Sequence, residues 1–545
     1  MQAKTALSIV ILVAPGLLGC RTSPPNFLVI IADDMGYADA GSYGGEIATP
    51  NIDSLASGGL RFTQFYNTAR CWPTRASLLT GYYAQQVRRD EIPGVDRRKF
   101  GGRGVRPSWA RLVSERLHAA NYRSYHSGKW HVDGEPTENG FDHSYMAGSR
   151  AGFFHLTGQR SDGEALPDVP ADRGLLQTEV TADYAIRWLT AHAEESPDRP
   201  FFLYLAFHAP HFPLHARPED IARYRERYLA GWDRLRAERH ALQKELGFPE
   251  TGLSRLDQDV GPPYAFPDAI ELLGPGEINR PVPWETLSDE QKRFQAEKMA
   301  IHAAMIDRMD REIGRVLDQV RAMGAFDNTV VFFLSDNGAS AEIMVRGDGH
   351  DPDLPLGSAG TYLCLGPGFS SAANTPFRLH KTWVHEGGIS TPLVVHWPDG
   401  IKTTGEFRST VGHVIDIAPT LMDLAGLGVE PDSSGPPFPG RSLANVFQGD
   451  GEPLHEALWF YHQGNRALRK GDWKILHTVR TRDDGWGAVA DAEDARPGDW
   501  ELYDLANDRG EQRDLSEERP EVVREFSGIW NEWKERFIRE AGGPN

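Results

Sequence analysis

Asn26-Phe27-Leu28-Val29-Ile30-Ile31-Ala32-Asp33-Asp34 is an unbroken apolar run, rich in β-branched residues, that stops abruptly on two acids. A run of this length with no alternation fits a strand buried on both faces, the signature of a parallel sheet covered by helices. Far downstream the pattern returns. Thr329 to Leu334 (T-V-V-F-F-L) runs into Ser335-Asp336-Asn337-Gly338. Phe201 to Phe207 (F-F-L-Y-L-A-F) is a third such run, and Tyr122 to Tyr125 and Pro392 to His396 supply two more. Between them lie helical patterns: an amphipathic stretch from Trp109 to Ala119, a charged helical region from 217 to about 256, and a long helix over Ser288 to Met323. The last carries Ile306, Met309, Ile313, Val316, Leu317 and Val320 on one stripe. The expectation is an α/β fold with a large central, mostly parallel sheet sandwiched by helices.

In open α/β sheets ligands bind beyond the carboxyl ends of the strands. Asp33-Asp34 and Asp336-Asn337 both stand at such ends. Either pair alone reads equally well as turn or capping acids. Together they offer three carboxylates and an amide oxygen, a hard-oxygen set suited to Ca²⁺ or, less well, Mg²⁺. No Cys/His cluster of the zinc type is present in the sequence.

Beyond Val429 the character changes. Glu430 to Pro439 is rich in Pro, Ser and Gly. Ala457–Tyr461, Arg466–Arg469 and Trp473–His477 read as short strands, with Lys470-Gly471-Asp472 as a hairpin turn. Glu501 to Leu505 follows, then a helix over Glu521 to Ile538 with an aromatic stripe. The predicted division is a catalytic α/β domain over 21–429 and a smaller C-terminal domain over 430–545, an antiparallel sheet with one helix.

The chain has 545 residues, 40% of them hydrophobic, which suits one large and one small domain. With 58 basic against 77 acidic side chains, the net charge is -19, which argues against nucleic acid as a partner. An anionic substrate is still compatible, because a local cationic pocket can sit in an acidic protein. Lys4 and the apolar run Ala6 to Leu18 fit a signal peptide and are too short to span a bilayer. Leu17-Leu18-Gly19-Cys20 resembles a bacterial lipobox, which would leave Cys20 lipidated at the mature N-terminus. The expected location is therefore periplasmic or membrane-anchored, with a plain signal peptide as the alternative. Of the three cysteines, Cys364 sits among Tyr362, Leu363 and Leu365 as a small buried hydrophobe.

The third, Cys71, opens Cys71-Trp72-Pro73-Thr74-Arg75-Ala76-Ser77-Leu78-Leu79-Thr80-Gly81. Pro73 suits a first helical turn and Gly81 a stop, so the thiol stands at a helix mouth where unpaired N–H groups favour an anion. Arg75 adds a fixed fork of donors. A simply buried Cys is the competing reading. Two more groups stand at strand ends. Ser127-Gly128-Lys129-Trp130-His131 brings a cation and a proton carrier together, and His208-Ala209-Pro210-His211-Phe212-Pro213-Leu214-His215 offers three imidazoles. The Arg/Gly-rich stretch over 86–107 reads as a solvated loop.

C-x-P-x-R followed by A-S-L-L-T-G resembles the signature of the type I sulfatases, members of the alkaline phosphatase-like superfamily, and of their arylsulfatase branch in particular. D-D paired with S-D-N-G, the G-K-W-H segment, Lys381 ahead of Glu386-Gly387-Gly388, and the C-terminal R-A-L-R-K-G-D-W-K-I-L and E-L-Y-D-L agree with it. The resemblance spans about Asn26 to Ile538. It implies that Cys71 is converted by a formylglycine-generating enzyme to formylglycine, whose hydrate is the nucleophile. It implies a divalent cation, usually Ca²⁺, on Asp33, Asp34, Asp336, Asn337 and the modified Cys71. It carries over Arg75 as an organiser, Lys129 and Lys381 as charge stabilisers, His211 as donor to the leaving oxygen and His131 as a base in expelling sulfate. His208 and His215 have no counterpart in the motif and read as structural or rim residues. The implied activity is hydrolysis of aryl or carbohydrate sulfate monoesters. The alternatives are a phosphonate or phosphate ester hydrolase of the same fold and a non-catalytic sulfoglycan-binding protein.

Overall fold

The computed structural model describes residues 24–92, 104–148, 152–347, 349–431, 435–479 and 500–542. The leader and Cys20, and Arg97, Arg98, Lys99 and Arg103 of the basic loop, lie outside the described residues. No helix among the described residues is long and apolar enough to cross a membrane.

Ten strands form the main sheet. They are β1 (Asn26–Asp33), β2 (Leu60–Phe62), β3 (Arg123–Gly128), β4 (His143–Met146), β5 (Arg160–Ser161), β6 (Glu164–Ala165), β7 (Phe201–Pro210), β8 (Thr329–Ser335), β9 (Leu393–His396) and β10 (Glu406–Arg408). Their order is β10-β2-β9-β8-β1-β7-β3-β4-β5-β6. The centre, β8-β1-β7-β3-β4, is parallel throughout. Both flanks are not: β9 runs antiparallel to β8 and β2, and β5 and β6 form an antiparallel end. The expected mostly parallel sheet is thus a parallel centre with mixed edges. β1, β7 and β8 are buried along nearly their whole length, as unalternating apolar runs require.

Helices cover both faces. Asp289–Ala322 runs along one of them, and all six residues of the expected stripe are buried. Its start is fixed by a capping box, with Gln291 N–H on Ser288 Oγ at 3.2 Å and Ser288 N–H on Gln291 Oε1 at 3.0 Å. Two local expectations differ from the structure. The Trp109–Ala119 helix shrinks to Val113–Leu117, because Glu115 accepts the Leu112 N–H at 2.8 Å and starts the helix there. From Ala341 to Arg378 the sequence shows no helical or strand period and predicts an irregular stretch, yet the structure has a helix at Gly366–Ala373.

The C-terminal part is a four-stranded antiparallel sheet, β11 (Leu458–His462), β12 (Asn465–Lys470), β13 (Trp473–His477) and β14 (Glu501–Asp504), in sequential order. Helix Pro520–Glu540 lies on it, with Trp530 stacked on Trp459 at 5.2 Å. A buried ionic cluster ties this sheet to the main body. Lys474 Nζ lies 3.0 Å from Glu386 and 2.7 Å from Glu511, and Arg509 lies 2.9 Å from Glu386. Such groups survive burial only in mutual pairs.

Candidate active site

The parallel centre explains why distant acids meet. In register, Ala32 of β1 faces Ser335 of β8, and Asp33 faces Pro210 of β7. Parallel neighbours end on one edge, so the residues following each strand share that edge. Asp33-Asp34, Asp336-Asn337, His208 through His211 and, from β3, Lys129 therefore converge. Close approach of β3 and β7 needs Gly128, at φ 116°: a Cβ there would meet the Ala206 carbonyl oxygen at 1.9 Å.

Cys71 reaches the same edge as the first residue of helix Cys71–Thr80, which Gly81 ends in the left-handed region at φ 78°. Its thiol is free and buried. Lys381 arrives from a loop held by Asn374, whose side chain bonds Ala339 N–H, Ala339 C=O and Leu379 C=O.

The ion pairs form a connected floor. Lys129 Nζ bonds Asp33 Oδ2. Arg75, wholly buried, holds Asp336 through Nε at 2.9 Å and a terminal nitrogen at 2.7 Å, and sits 3.7 Å from Asp33. It also donates to the Lys129 carbonyl at 3.2 Å. Lys381 Nζ lies 2.8 Å from Asp34 and 3.2 Å from Glu342. Asn337 Nδ2 donates to Asp34 Oδ1 at 2.6 Å, and His211 Nε2 stands 3.7 Å from Asp34.

Two buried oxygens, Asp33 Oδ1 and Asn337 Oδ1, find no hydrogen-bond partner among the described residues. Leaving such acceptors unpaired is costly unless something else fills the position. Ligand atoms of Asp33, Cys71 and Asp336 lie within 4.8 Å of one another, as do those of Asp33, Asp34 and His211. Hard oxygens in this number fit a divalent cation of the Ca²⁺ or Mg²⁺ type.

Electrostatics agree. Burial works to raise Asp33, but Lys129, His211, Arg75 and Lys381 outweigh it and hold Asp33 well below the usual carboxylate range. Asp336 goes the other way, pushed up to about 7 by burial and by the Asp33 charge. Burial opposes the charge on Lys381, yet Asp34 and Glu342 raise it, so the ammonium is permanent. His211 is held down to about 4, first by burial, with Asp34 pulling up and Lys381 pushing down.

Above the floor opens a cavity of about 380 Å³. Cys71, Lys129, His131 and His211 line it; Arg75 and Lys381 lie buried beneath. Trp72, Phe153 and Phe212, with Arg346 and Gln463, also belong to its lining. Gln463 belongs to the turn between β11 and β12, so the small sheet contributes to the cavity. His131 takes φ 59° and its ring packs edge-on to Trp72 at 6.3 Å. All ten residues singled out in the sequence are thus gathered at one edge of the sheet. His215 is apart from the floor, bonded to the Thr361 carbonyl and to Phe153 N–H.

Sequence reading missed two neighbours of these groups. Glu342, paired with Lys381 and with Arg70 at 3.0 Å, sits in a stretch without any motif. Gln463 carries no signal either. His208, read as a structural or rim residue, stands three residues before His211 at the same strand end and lines the cavity.

The model of the family described as "Sulfatase" matches residues 25–427, and one described as "N-sulphoglucosamine sulphohydrolase, C-terminal" matches 377–535. An uncharacterised sulfatase of Schizosaccharomyces pombe is 31% identical, covering 94% of this chain and 93% of its own. The arylsulfatase of Klebsiella aerogenes is 31% identical over 79% of this chain and 92% of its own. A solved structure in complex with its substrate, D-glucosamine-2-N,6-O-disulfate, superposes with a TM-score of 0.63 at 19% identity, covering 95% of this chain and 99% of that one, a likeness of fold. With a family match across most of the chain and relatives aligned nearly end to end, this protein belongs to the sulfatase family.

Proposed function

We propose that the chain hydrolyses sulfate monoesters of the arylsulfatase type at Cys71, after a formylglycine-generating enzyme has converted that residue to formylglycine. The observation that carries this reading is the convergence of Cys71 with Asp33 and Asp336 within 4.8 Å, on a floor closed by Lys129, Lys381 and Arg75. Formylglycine at Cys71, once formed and hydrated, would supply a hydroxyl nucleophile. Asp33, Asp34, Asp336 and Asn337 would hold one Ca²⁺, which supplies positive charge against the sulfuryl oxygens.

The chain's own residues do the rest. Lys129 and Lys381 are fixed cations in a buried setting, where they stabilise the growing negative charge of the transferring sulfuryl group without having to reorganise. Arg75 locks Asp336 and the Lys129 backbone in place. His211 is neutral beside the floor as it stands; an anionic ester bound next to it raises its proton affinity, so the ring gains a proton with the substrate and gives it to the leaving oxygen. His131, beside Trp72 in the cavity lining, takes the proton released when sulfate departs. The net reaction consumes one water and yields an alcohol or phenol, sulfate and a proton.

The leaving group would lie against Trp72, Phe153 and Phe212, faces that accept a flat aryl ring or a pyranose. The Klebsiella aerogenes relative supports the first and the sulfated-glucosamine complex the second. Mass spectrometry of the tryptic peptide containing Cys71, beside a panel of aryl sulfates, sugar sulfates, phosphate esters and phosphonate esters, tests the reading. Aldehyde at Cys71 and preference for sulfates are expected. Activity in a protein whose Cys71 is entirely unmodified thiol contradicts it.

A further inference from the structure

His208 is 8% exposed and lines the cavity with Cys71, Lys129 and His211. Neither of its ring nitrogens has a hydrogen-bond partner among the described residues. An imidazole offers one donor and one acceptor, and both are normally satisfied when buried. The other histidines at this end of β7 show the contrast: buried His215 is bonded at both nitrogens and half-buried His211 at one. His208 is also absent from the groups whose ligand atoms converge for a metal ion. Neither backbone nor a metal position takes up these two buried nitrogens, and the ring that carries them is part of the cavity wall.

We propose that His208 is a further substrate-contacting residue of this site, a neutral imidazole that donates one ring N–H to the sulfuryl group of the bound ester. The proposal rests on the sulfatase reading above and adds a donor to it. The choice of sulfuryl group over leaving oxygen follows from position. His208 lines the cavity together with Cys71 and Lys129, the groups that face the transferring sulfuryl in the reading above. Burial first, and then the Lys129 ammonium, keeps the ring neutral. A neutral donor can face an anion without adding a further cation to Lys129, Lys381 and the protonated His211. The His211 backbone N–H bonds the His208 carbonyl at 2.9 Å, so one tight turn carries both imidazoles to the cavity lining.

The test uses mature protein, with formylglycine content at Cys71 and melting temperature measured for every variant. H208A and H208F both remove the nitrogens, the second while keeping a ring of similar volume. Each should lower kcat/KM on the ester the wild-type protein hydrolyses best by about 10²-fold, the scale of one lost oxyanion donor. Inhibition by inorganic sulfate should weaken in parallel. H208N, whose amide keeps an N–H at similar reach, should recover part of both and retain the wild-type shape of the pH profile. A purely structural role would lower melting temperature or maturation and leave the sulfate inhibition constant of the mature fraction unchanged. If H208F, folded and mature, keeps kcat/KM and sulfate inhibition within twofold of wild type, the proposal is wrong. Scoring variants as ratios to wild type separates this from the parent reading. A wild-type preference for phosphate esters refutes the sulfatase substrate, and the same ratios measured on phosphate still decide whether His208 touches the transferring group.

Discussion

Replacing Lys381 by Met keeps most of the side-chain volume and removes one buried charge. The ammonium is 1% exposed and bridges two carboxylates, Asp34 at 2.8 Å and Glu342 at 3.2 Å. Breaking a buried pair by removing one partner typically costs about 3–5 kcal/mol, since the other charge stays behind uncompensated. Here both partners keep some support. Glu342 retains Arg70 at 3.0 Å and Ser340 at 2.9 Å, and Asp34 retains Asn337 at 2.6 Å. The loss should therefore fall near the lower end, about 3 kcal/mol. Activity should fall separately, by about 10²- to 10³-fold, if the cation acts on the transferring sulfuryl group. The two effects can be split with Glu342→Gln. In the double variant, Lys381→Met with Glu342→Gln, one of the stranded negative charges is gone. Because Glu342→Gln also removes the partner of buried Arg70, the double variant should lose about 1–2 kcal/mol less than the two single losses added together, a coupling expected of contacting groups. Activity should not recover at all. Thermal melting, denaturant midpoints and kcat/KM on one sulfate ester give the full cycle. Stability within about 0.5 kcal/mol of wild type in Lys381→Met, or rescue of activity in the double variant, would refute the reasoning.

Other perturbations separate the remaining roles. His211→Ala should lose far more activity on alkyl or sugar sulfates than on nitrophenyl sulfate, because protonation helps a poor leaving group most; His131→Ala should lose turnover evenly across both, and equal leaving-group slopes for the two variants would show that the division of labour is wrong. Asp336→Ala should abolish both activity and stoichiometric Ca²⁺ while leaving most of the fold, and elemental analysis finding one zinc per wild-type chain would overturn the oxygen-ligand assignment. Asp39 supplies a pH-dependent term: burial raises it, but His302 at 3.0 Å and Arg239 at 2.8 Å outweigh burial and hold it at about 2. Its contribution, about 2.5 kcal/mol, is present above the unfolded value near 4 and is lost as pH falls through about 2. The stability gap between wild type and Asp39→Asn, followed by denaturant midpoint, should narrow over that window, and a gap constant from pH 6 to 2 would contradict it.

How much of this was legible in the residues themselves varies from element to element. The buried strands Asn26–Asp33, Phe201–Pro210 and Thr329–Ser335 announce themselves as apolar runs, because a strand covered on both faces has no solvent side to alternate with. The acids that end two of them, the Cys71 helix with its Gly81 stop, and the capping box at Ser288 are equally local, each set by a few adjacent residues. Periodicity was less informative where competing local bonds decide a boundary, as at Leu112 and Glu115. Motif resemblance located Lys381, which local pattern alone would leave as a solvated lysine.

Only the tertiary structure decided which side chains complete the site. Glu342 comes to Lys381, and Gln463 to the cavity, through contacts between segments with no common pattern, and the chain carries no record of such contacts in either segment alone. His208 is visible in the sequence, but its idle nitrogens are not: whether a buried imidazole is satisfied depends on every neighbour around it. The antiparallel flanks were likewise beyond local reading, since strand direction is set by where the chain has to return across the sheet. Residue type and spacing determined the chemistry available to this protein; the register of β8, β1 and β7 decided that it would all be delivered to one point.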